Sequence, residues 1–190
     1  MAPVYADFEM PDSFRIASPR QPPISAGAYR DAMSSMAAGA CLVTARHGDD
    51  RLGRTVTSVF SLSLEPPAIL VSIDIASPLV DLVMRSQGFS FAVLAAQQQA
   101  VAEAFAGHVA PEQRFDLGFW QDWPSGQPRL LETVLAMDCE LVGSMETGSH
   151  VLFAGAAIDI ESAPDREPLI WHRRHYTRLA AIGTALAASA

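Results

Sequence analysis

The sequence predicts a mainly β protein of the α+β class, an antiparallel barrel with short helices at its periphery. Apolar, β-branched runs of strand length recur along the chain, with Gly, Pro, Asp and Ser between them. Helical periodicity is limited to three short segments. Strands do not alternate with long helices and no Gly-x-Gly-x-x-Gly turn occurs, so a doubly wound parallel sheet is disfavoured.

The first helix is predicted from residue 25. Ser25 offers an N-cap, and Tyr29, Met33 and Met36 recur at helical spacing, while Gly39 offers a left-handed stop. This stripe predicts that Met33 and Met36 belong to the core. The next two strands form a hairpin, because residues 40–44 are apolar and a turn at residues 47–50 leads into an extended run.

The run at residues 53–67 is rich in hydroxyl side chains. They are Thr55, Thr57, Ser58, Ser61 and Ser63. Thr55 and Thr57 lie two apart and share one face of a strand, whereas Val56 and Ser58 take the other. Small neutral donors on a strand and its rim can hold an anion. The alternative is a hydroxyl-rich edge strand that faces solvent.

The middle of the chain predicts two strands around a short helix. Residues 68–73 are almost wholly apolar, as in a strand covered on both faces, and residues 89–94 alternate like a half-buried strand. Ser77 caps a helix over residues 78–85, which Gly88 ends. Its free amides could meet a phosphate or water.

Further along, a third helix is predicted over residues 97–106, with Val101, Ala104 and Phe105 as its apolar stripe. Residues 114–128 combine aromatics, Gly and Pro, which is typical of a long ordered loop that could shape a pocket.

The last strands are predicted over residues 134–142, 150–160 and 168–171. Residues 143–149 form a turn, and Gly155 marks a bulge or a close approach of another group. Residues 1–24 form an extended, Pro-rich arm, residues 25–180 one domain, and residues 181–190 a tail.

Composition excludes several classes of function. The net charge is −8, which argues against nucleic acid, and all 13 basic residues are Arg, so no Lys is available for a Schiff base or a Walker loop. Cys41 and Cys139 lie in apolar strands and are expected to be buried free thiols in a reducing cytoplasm. No secretory signal or membrane-spanning run is expected.

The order and spacing of these segments resemble the flavin reductase family, the small reductase components of two-component flavin-dependent monooxygenases. The matching pieces over residues 26–180 are Tyr29 to Met33, residues 53–67, Ser77, residues 89–94, Phe105, Arg114, residues 148–150, Gly155, Pro168 and Tyr176. The resemblance implies a split β-barrel with antiparallel Greek-key order that binds FMN or FAD. It also implies NADH or NADPH as substrate, a homodimer and a separate monooxygenase partner.

The resemblance also implies site residues. Those around the flavin are Thr55, Val56, Thr57, Ser58, Ser61, Ser77, Phe91, Ala92 and Phe105. By spacing alone, Phe105 is a core residue. His150 is the implied catalytic residue, which orients the nicotinamide or transfers a proton, with Ser149, Tyr176 and Arg114 lining the same opening. Without the resemblance, His150 would be a solvent-exposed or capping residue.

No metal site is expected. His172 and His175 have a spacing that a metal could use, but no third ligand accompanies them, and the two arginines between them oppose a cation. The main hypothesis is therefore an NAD(P)H:flavin oxidoreductase. Two alternatives stay open: a flavin-dependent reductase of a corrinoid, and a split-barrel module that binds flavin without catalysis.

Overall fold

The computed structural model describes residues 19–179, and within them a seven-stranded antiparallel sheet carries the fold. The strands that begin the sheet are β1 (Ala38–Gly39), β2 (Cys41–His47), β3 (Asp50–Val56), β4 (Val59–Leu64) and β5 (Pro67–Asp74). They are followed by β6 (Gly88–Val93), β7 (Trp120–Asp122), β8 (Pro128–Leu130), β9 (Leu135–Glu146), β10 (His150–Ser162), β11 (Ile170–His172) and β12 (His175–Thr177). The seven strands run in the order β3-β2-β6-β9-β10-β5-β4. The predicted antiparallel class is confirmed.

The early hairpin forms as predicted. His47 pairs with Asp50, so Gly48 and Asp49 make a two-residue turn between β2 and β3, and Gly48 has φ of 60°. Beyond β3, residues 57 and 58 carry the chain to β4, and the amide of Ser72 on β5 donates to the carbonyl of Ser58 at 3.0 Å. This bond continues the pairing of β4 with β5 by one residue. The short connection from β3 to β4 thereby brings β3 close to β5, so the sheet curls into a barrel with a split between these two strands.

Three α-helices lie around the sheet in the described residues: α1 (Ala26–Met33), α2 (Pro78–Ser86) and α3 (Gln99–Glu103). The predicted caps are confirmed, because Ser25 Oγ accepts from Ala28 N at 3.2 Å and Ser77 Oγ accepts from Leu79 N at 3.4 Å. The predicted ends are wrong. α1 stops well before Gly39, and Gln87, at φ of 54°, ends α2 instead of Gly88.

Three predictions about burial are also wrong. Met33 and Met36 are 41% and 60% exposed, and α1 buries none of its residues. β6, expected to be half buried, is covered on both faces, because Phe89 and Phe91 face the main core while Trp123 packs over Ser90 and Ala92 on the other face. β5, the strand expected to be covered on both faces, instead alternates between buried and partly exposed residues.

Gly155 has both predicted properties. The pairing of β10 with β9 shifts register between Ala154 and Gly155, which is a bulge, and a Cβ atom on Gly155 would lie 2.4 Å from Cζ of Phe89. Phe89 is fully buried in the main core beside Cys139. The close approach of this ring therefore requires glycine at position 155.

Several short elements were not predicted from the sequence. A 3-10 turn at Pro111–Asp116 and the β7–β8 hairpin occupy the expected long loop, and the helix after α3 widens into a π turn at Ala104–His108. β9 extends to Glu146, so the turn before β10 is shorter than expected. β11 and β12 form a hairpin where a single strand was expected. The tail at residues 181–190 and most of the arm, residues 1–18, lie outside the described residues.

Both cysteines are buried free thiols, as predicted. Burial raises the pKa of Cys41 to about 12. Burial, followed by the charge of Asp138, raises the pKa of Cys139 to about 12 as well. Within residues 19–179, no helix has the length and hydropathy needed to cross a membrane.

Candidate functional site

Two cavities adjoin at the split of the barrel. The larger encloses about 910 Å³ and the smaller about 210 Å³. Thr57, Ser58 and Ser72 line both of them, so the turn between β3 and β4 is the partition. The volume of the larger cavity lies within the range of small-molecule sites.

The smaller cavity is polar. It is lined by Arg54, Thr55, Val56, Thr57, Ser58, Ser72, Ile73, Asp74 and His150. Arg54 contributes a cation from β3, and Asp74 contributes a carboxylate whose Oδ1 accepts from Ala76 N at 2.9 Å. The sequence predicted a cradle of neutral donors only. Arg54 corrects that prediction, because it places a fixed positive charge beside the hydroxyl groups.

The larger cavity is mainly apolar. α1 and its C-terminal extension provide Tyr29, Met33 and Met36, while Phe60 comes from β4 and Trp171 from β11. Arg30 and Arg174 also line it, and both are exposed at its solvent side. The two methionines that the sequence assigned to the core are therefore cavity walls.

His150 lies at the first position of β10, directly opposite Asp74 on β5. Its backbone is held at the turn, because its N–H donates to Thr147 Oγ1 at 3.1 Å and its carbonyl accepts from the same hydroxyl at 2.9 Å. Ser149 Oγ lies 2.9 Å from Nδ1 of the imidazole. These contacts fix the ring at the mouth of the smaller cavity and leave Nε2 available to a ligand.

Ser149 acts on His150 as a neutral partner. A hydroxyl can donate to Nδ1 or accept from it, so Ser149 orients the imidazole whichever ring nitrogen carries the hydrogen. The carbonyl of Ser149 accepts from the amide of Ile75 at 3.0 Å, which ties this turn to the end of β5. The turn and the adjacent wall of the smaller cavity are thereby held together.

The structure brings together five of the residues that the resemblance implied. Thr55, Val56, Thr57, Ser58 and His150 line one cavity. The Thr55 hydroxyl is committed elsewhere, since its Oγ1 donates to the carbonyl of Ala102 on α3 at 2.8 Å. Thr57 and Ser58 are both exposed and are the hydroxyls best placed to meet a ligand.

The other implied residues lie apart from this group. Ser61 is exposed on β4 and lines neither cavity, and the Ser77 hydroxyl caps α2. Phe91, Ala92 and Phe105 are 4%, 3% and 1% exposed, and their side chains belong to the packed interior. The prediction from spacing that Phe105 is a core residue is confirmed, because its ring meets Phe115 edge-on at a centroid distance of 5.1 Å.

Tyr176 and Arg114 do not line the opening beside His150. Tyr176 packs edge-on against Trp171 at 4.7 Å between ring centroids, so it supports a wall of the larger cavity from behind. Burial, followed by the charge of Glu103, raises the pKa of Tyr176. Arg114 donates from Nε to the carbonyl of Val109 at 3.0 Å and holds its own loop.

Four residues that line the cavities were not predicted from the sequence: Arg54, Ser72, Asp74 and Trp171. Each lies inside or beside a segment that was predicted correctly. The approach of β3 to β5 makes Arg54, Ser72 and Asp74 neighbours, whereas Trp171 reaches the larger cavity from β11. Within the described residues, no group of three or more His, Cys, Asp or Glu side chains is arranged to hold a metal ion.

Residues 33–180 match the family described as Flavin reductase like domain. The chain is 31% identical over 169 residues to "FMN reductase (NADH) RutF" of Ancylobacter novellus, which covers 89% of this chain and 93% of that protein. It is 34% identical over 150 residues to the reductase component of the "FADH(2)-dependent resorcinol hydroxylase" of Rhizobium sp., which covers 78% of this chain and 84% of that protein.

Among solved structures, the chain is similar to the Streptomyces globisporus NADH:FAD oxidoreductase SgcE6 in complex with NAD and FAD fragments. The TM-score is 0.75 at 27% identity, over 81% of this chain and 92% of that one. The flavin reductase BorF, from a bacterial two-component tryptophan halogenase, gives a TM-score of 0.75 at 28% identity, over 82% and 98% of the two chains.

Proposed function

The chain belongs to the family of flavin reductase like domains, and we propose that its two adjoining cavities are the site at which NADH reduces a flavin. The protein is an NADH-dependent flavin reductase of the split-barrel fold. The reaction converts NADH, a proton and oxidised flavin into NAD⁺ and reduced flavin. The reduced flavin leaves for a separate monooxygenase component.

The two cavities fit the two halves of FMN or FAD. Apolar walls such as Met33 and Trp171 suit a flat aromatic ring system, whereas a phosphate needs donors and positive charge. Arg54, Thr57 and Ser58 supply those in the smaller cavity. The flavin would therefore lie across the Thr57–Ser58 turn, which lines both cavities, with its phosphate toward Arg54. When bound, it supplies the acceptor for the hydride.

The protein contributes to the reaction by holding and orienting the flavin and NADH. No side chain in either cavity needs to act as a nucleophile, because hydride transfer requires only that the two rings be brought together at the right distance. His150 is placed to donate a hydrogen bond to the nicotinamide amide or to hold a proton near the ring. Its fixed backbone and the Ser149 contact support that role.

The observation that carries the proposal is the shared wall formed by Thr57, Ser58 and Ser72. The test is to follow the visible spectrum of the purified protein with FMN or FAD while NADH is added without oxygen. Bleaching of the flavin band at a rate far above that of flavin and NADH alone is expected. A yellow protein that does not accelerate bleaching would make it a binding module. Faster NADH oxidation with flavin and a corrinoid together than with flavin alone would favour the corrinoid alternative.

The role of His150 is tested by His150→Ala. We expect the KM for NADH to rise about fivefold to thirtyfold, with little change in flavin affinity, because one hydrogen bond from a positioned imidazole contributes about 1–2 kcal/mol. Ser149→Ala is the matched control for orientation and should give a smaller change in the same direction. Unchanged KM values for both substrates in His150→Ala would remove the imidazole from the site.

We also propose that the protein is a homodimer in a reducing compartment such as the cytoplasm. Buried free thiols support the compartment. Exposed apolar side chains on neighbouring parts of the sheet support the dimer, among them Leu62, Leu64, Ile158 and Ile160. Sedimentation equilibrium should give a dimer for the wild type, and Leu64→Glu with Ile160→Glu should give monomers. A monomeric wild type would refute it.

A further inference from the structure

Two arginines stand at the solvent side of the larger cavity, on elements that are far apart in the sequence. Arg30 comes from the last turn of α1, and Arg174 comes from the turn between β11 and β12. The amide of Arg173 donates to the carbonyl of Ser34 at 2.7 Å, so this turn is fastened to the end of α1. The position of one arginine is thus coupled to that of the other.

The turn between β11 and β12 has a backbone conformation that its two central residues rarely adopt. His172 pairs with His175, which leaves Arg173 and Arg174 as the two central residues, with φ of 49° and 64°. Both values lie in the left-handed region, where Asn and Gly are preferred in such hairpin turns. Arginine in these two positions strains the backbone, and backbone strain of this kind is concentrated at functional sites. This strain marks the turn as a candidate functional segment.

The charge at this position is unusual for the chain. The protein has a net charge of −8, yet Arg30 and Arg174 line one cavity beside a turn that two histidines flank. Arg174 forms an ion pair with Asp31. In the described part of the chain, no carboxylate lies within ion-pair distance of Arg30. A local positive field on an acidic protein attracts anionic ligands and disfavours their random binding elsewhere.

We infer that Arg30 and Arg174 bind the diphosphate of the nicotinamide dinucleotide while its nicotinamide ring reaches across the larger cavity to the Thr57–Ser58 turn, on whose other side His150 lies. The inference rests on the proposed function. Guanidinium groups match the paired oxygens of a diphosphate, and apolar walls on the same cavity match the ring. Since Arg54 offers a separate cation for the flavin phosphate in the smaller cavity, the pair of Arg30 and Arg174 serves the second substrate.

The test compares neighbouring arginines of the same turn. Arg174→Gln and Arg30→Gln should each raise the KM for NADH about fivefold, and the double variant about twentyfold, since an exposed charged contact contributes up to about 1 kcal/mol. Arg173→Gln makes the same chemical change at a side chain that does not line the cavity, and its KM should match the wild type. The KM for FMN should stay unchanged in all four.

Asp31→Asn separates ligand binding from the ion pair. It removes the same Arg174–Asp31 contact but keeps the cation, so the KM for NADH should stay constant or fall. A rise equal to that of Arg174→Gln would mean that the ion pair supports the turn and that the diphosphate role is wrong.

Two probes identify the group that is bound. ADP-ribose carries the diphosphate without nicotinamide, and its affinity, measured by isothermal titration calorimetry, should fall about fivefold in Arg174→Gln. The donor 1-benzyl-1,4-dihydronicotinamide is uncharged, so wild type and Arg174→Gln should use it equally well. Equal losses with both donors would overturn the inference, as would a KM for FMN that rises while that for NADH does not. A wild type without any NADH-dependent flavin reduction would instead refute the proposed function.

Discussion

Replacing Gly155 by Ala tests how tightly β10 is packed against the core beneath it. The added methyl group would lie 2.4 Å and 2.8 Å from Cζ and Cε1 of Phe89, and 2.9 Å from Cβ of Cys139. Phe89 and Cys139 are 0% and 1% exposed, so neither can turn toward solvent. Restoring contacts of about 3.5 Å requires the ring to move by about 1 Å within a close-packed interior.

The expected loss of stability follows from opposing effects. Overpacking of a core costs about 1–3 kcal/mol, and sometimes more. Burial of one methyl group returns about 0.8 kcal/mol, and the smaller freedom of Ala in the unfolded chain returns up to about 1 kcal/mol. Because the overlap with Phe89 is severe, we expect a net loss of about 2 kcal/mol. For a domain of this size that lowers Tm by about 4–8 °C.

The assay is urea unfolding followed by far-UV circular dichroism, with Gly143→Ala as the matched control. Gly143 lies on the neighbouring strand opposite Ala154, and its added Cβ would be 3.7 Å from the Cβ of Ala154, which is an ordinary contact. The control should stay within about 0.5 kcal/mol of the wild type. Phe89→Leu should partly relieve the clash in a double-mutant cycle. Equal stability of Gly155→Ala and Gly143→Ala would refute the reasoning.

Three further predictions concern buried and half-buried side chains of the sheet. Thr55→Val should lower the free energy of unfolding by about 1 kcal/mol and leave FMN affinity unchanged, because its hydroxyl donates to the carbonyl of Ala102; a selective loss of FMN binding in a titration would contradict this. Burial raises the pKa of the Asp138 carboxyl above its ordinary value of 3.8. The folded state therefore holds the proton at higher pH than the unfolded state, and this residue's contribution to stability falls as pH rises through the raised pKa. Asp138→Asn should remove that dependence and be at least as stable as the wild type at pH 8 in urea; a less stable variant would contradict it. Cys41 and Cys139, each with a pKa of about 12, should resist an aromatic disulfide reagent at pH 8 until urea unfolds the chain, and rapid reaction of the folded protein would refute their burial.

Features that depend on a few consecutive residues could be predicted from the sequence. The N-caps Ser25 and Ser77 are examples, because a cap is a contact between a side chain and an amide two or three residues away. The turn at Gly48 and the bulge at Gly155 belong to the same group, since a glycine within a strand pattern marks a local departure from regular pairing.

Features that depend on how much of an element is covered were predicted less well. The stripe containing Met33 and Met36 shows that α1 has an apolar face but not what meets it. The structure leaves that face open to a cavity. The hydroxyl of Thr55 illustrates the same limit. Strand alternation predicts which side of the sheet it lies on, but not that it donates to the carbonyl of Ala102.

By itself, the sequence determined the antiparallel class, the order of the strands along the chain and the hydroxyl-rich run that carries Thr57 and Ser58, since periodicity and turn chemistry are local. Only the tertiary structure decided that Arg54, Asp74 and His150 share one cavity, and that Arg30 and Arg174 stand together at another. These residues meet because the barrel brings β3 against β5 and fastens the last hairpin to α1. Contacts between distant segments arise from packing the whole chain at once, so no stretch of sequence contains them.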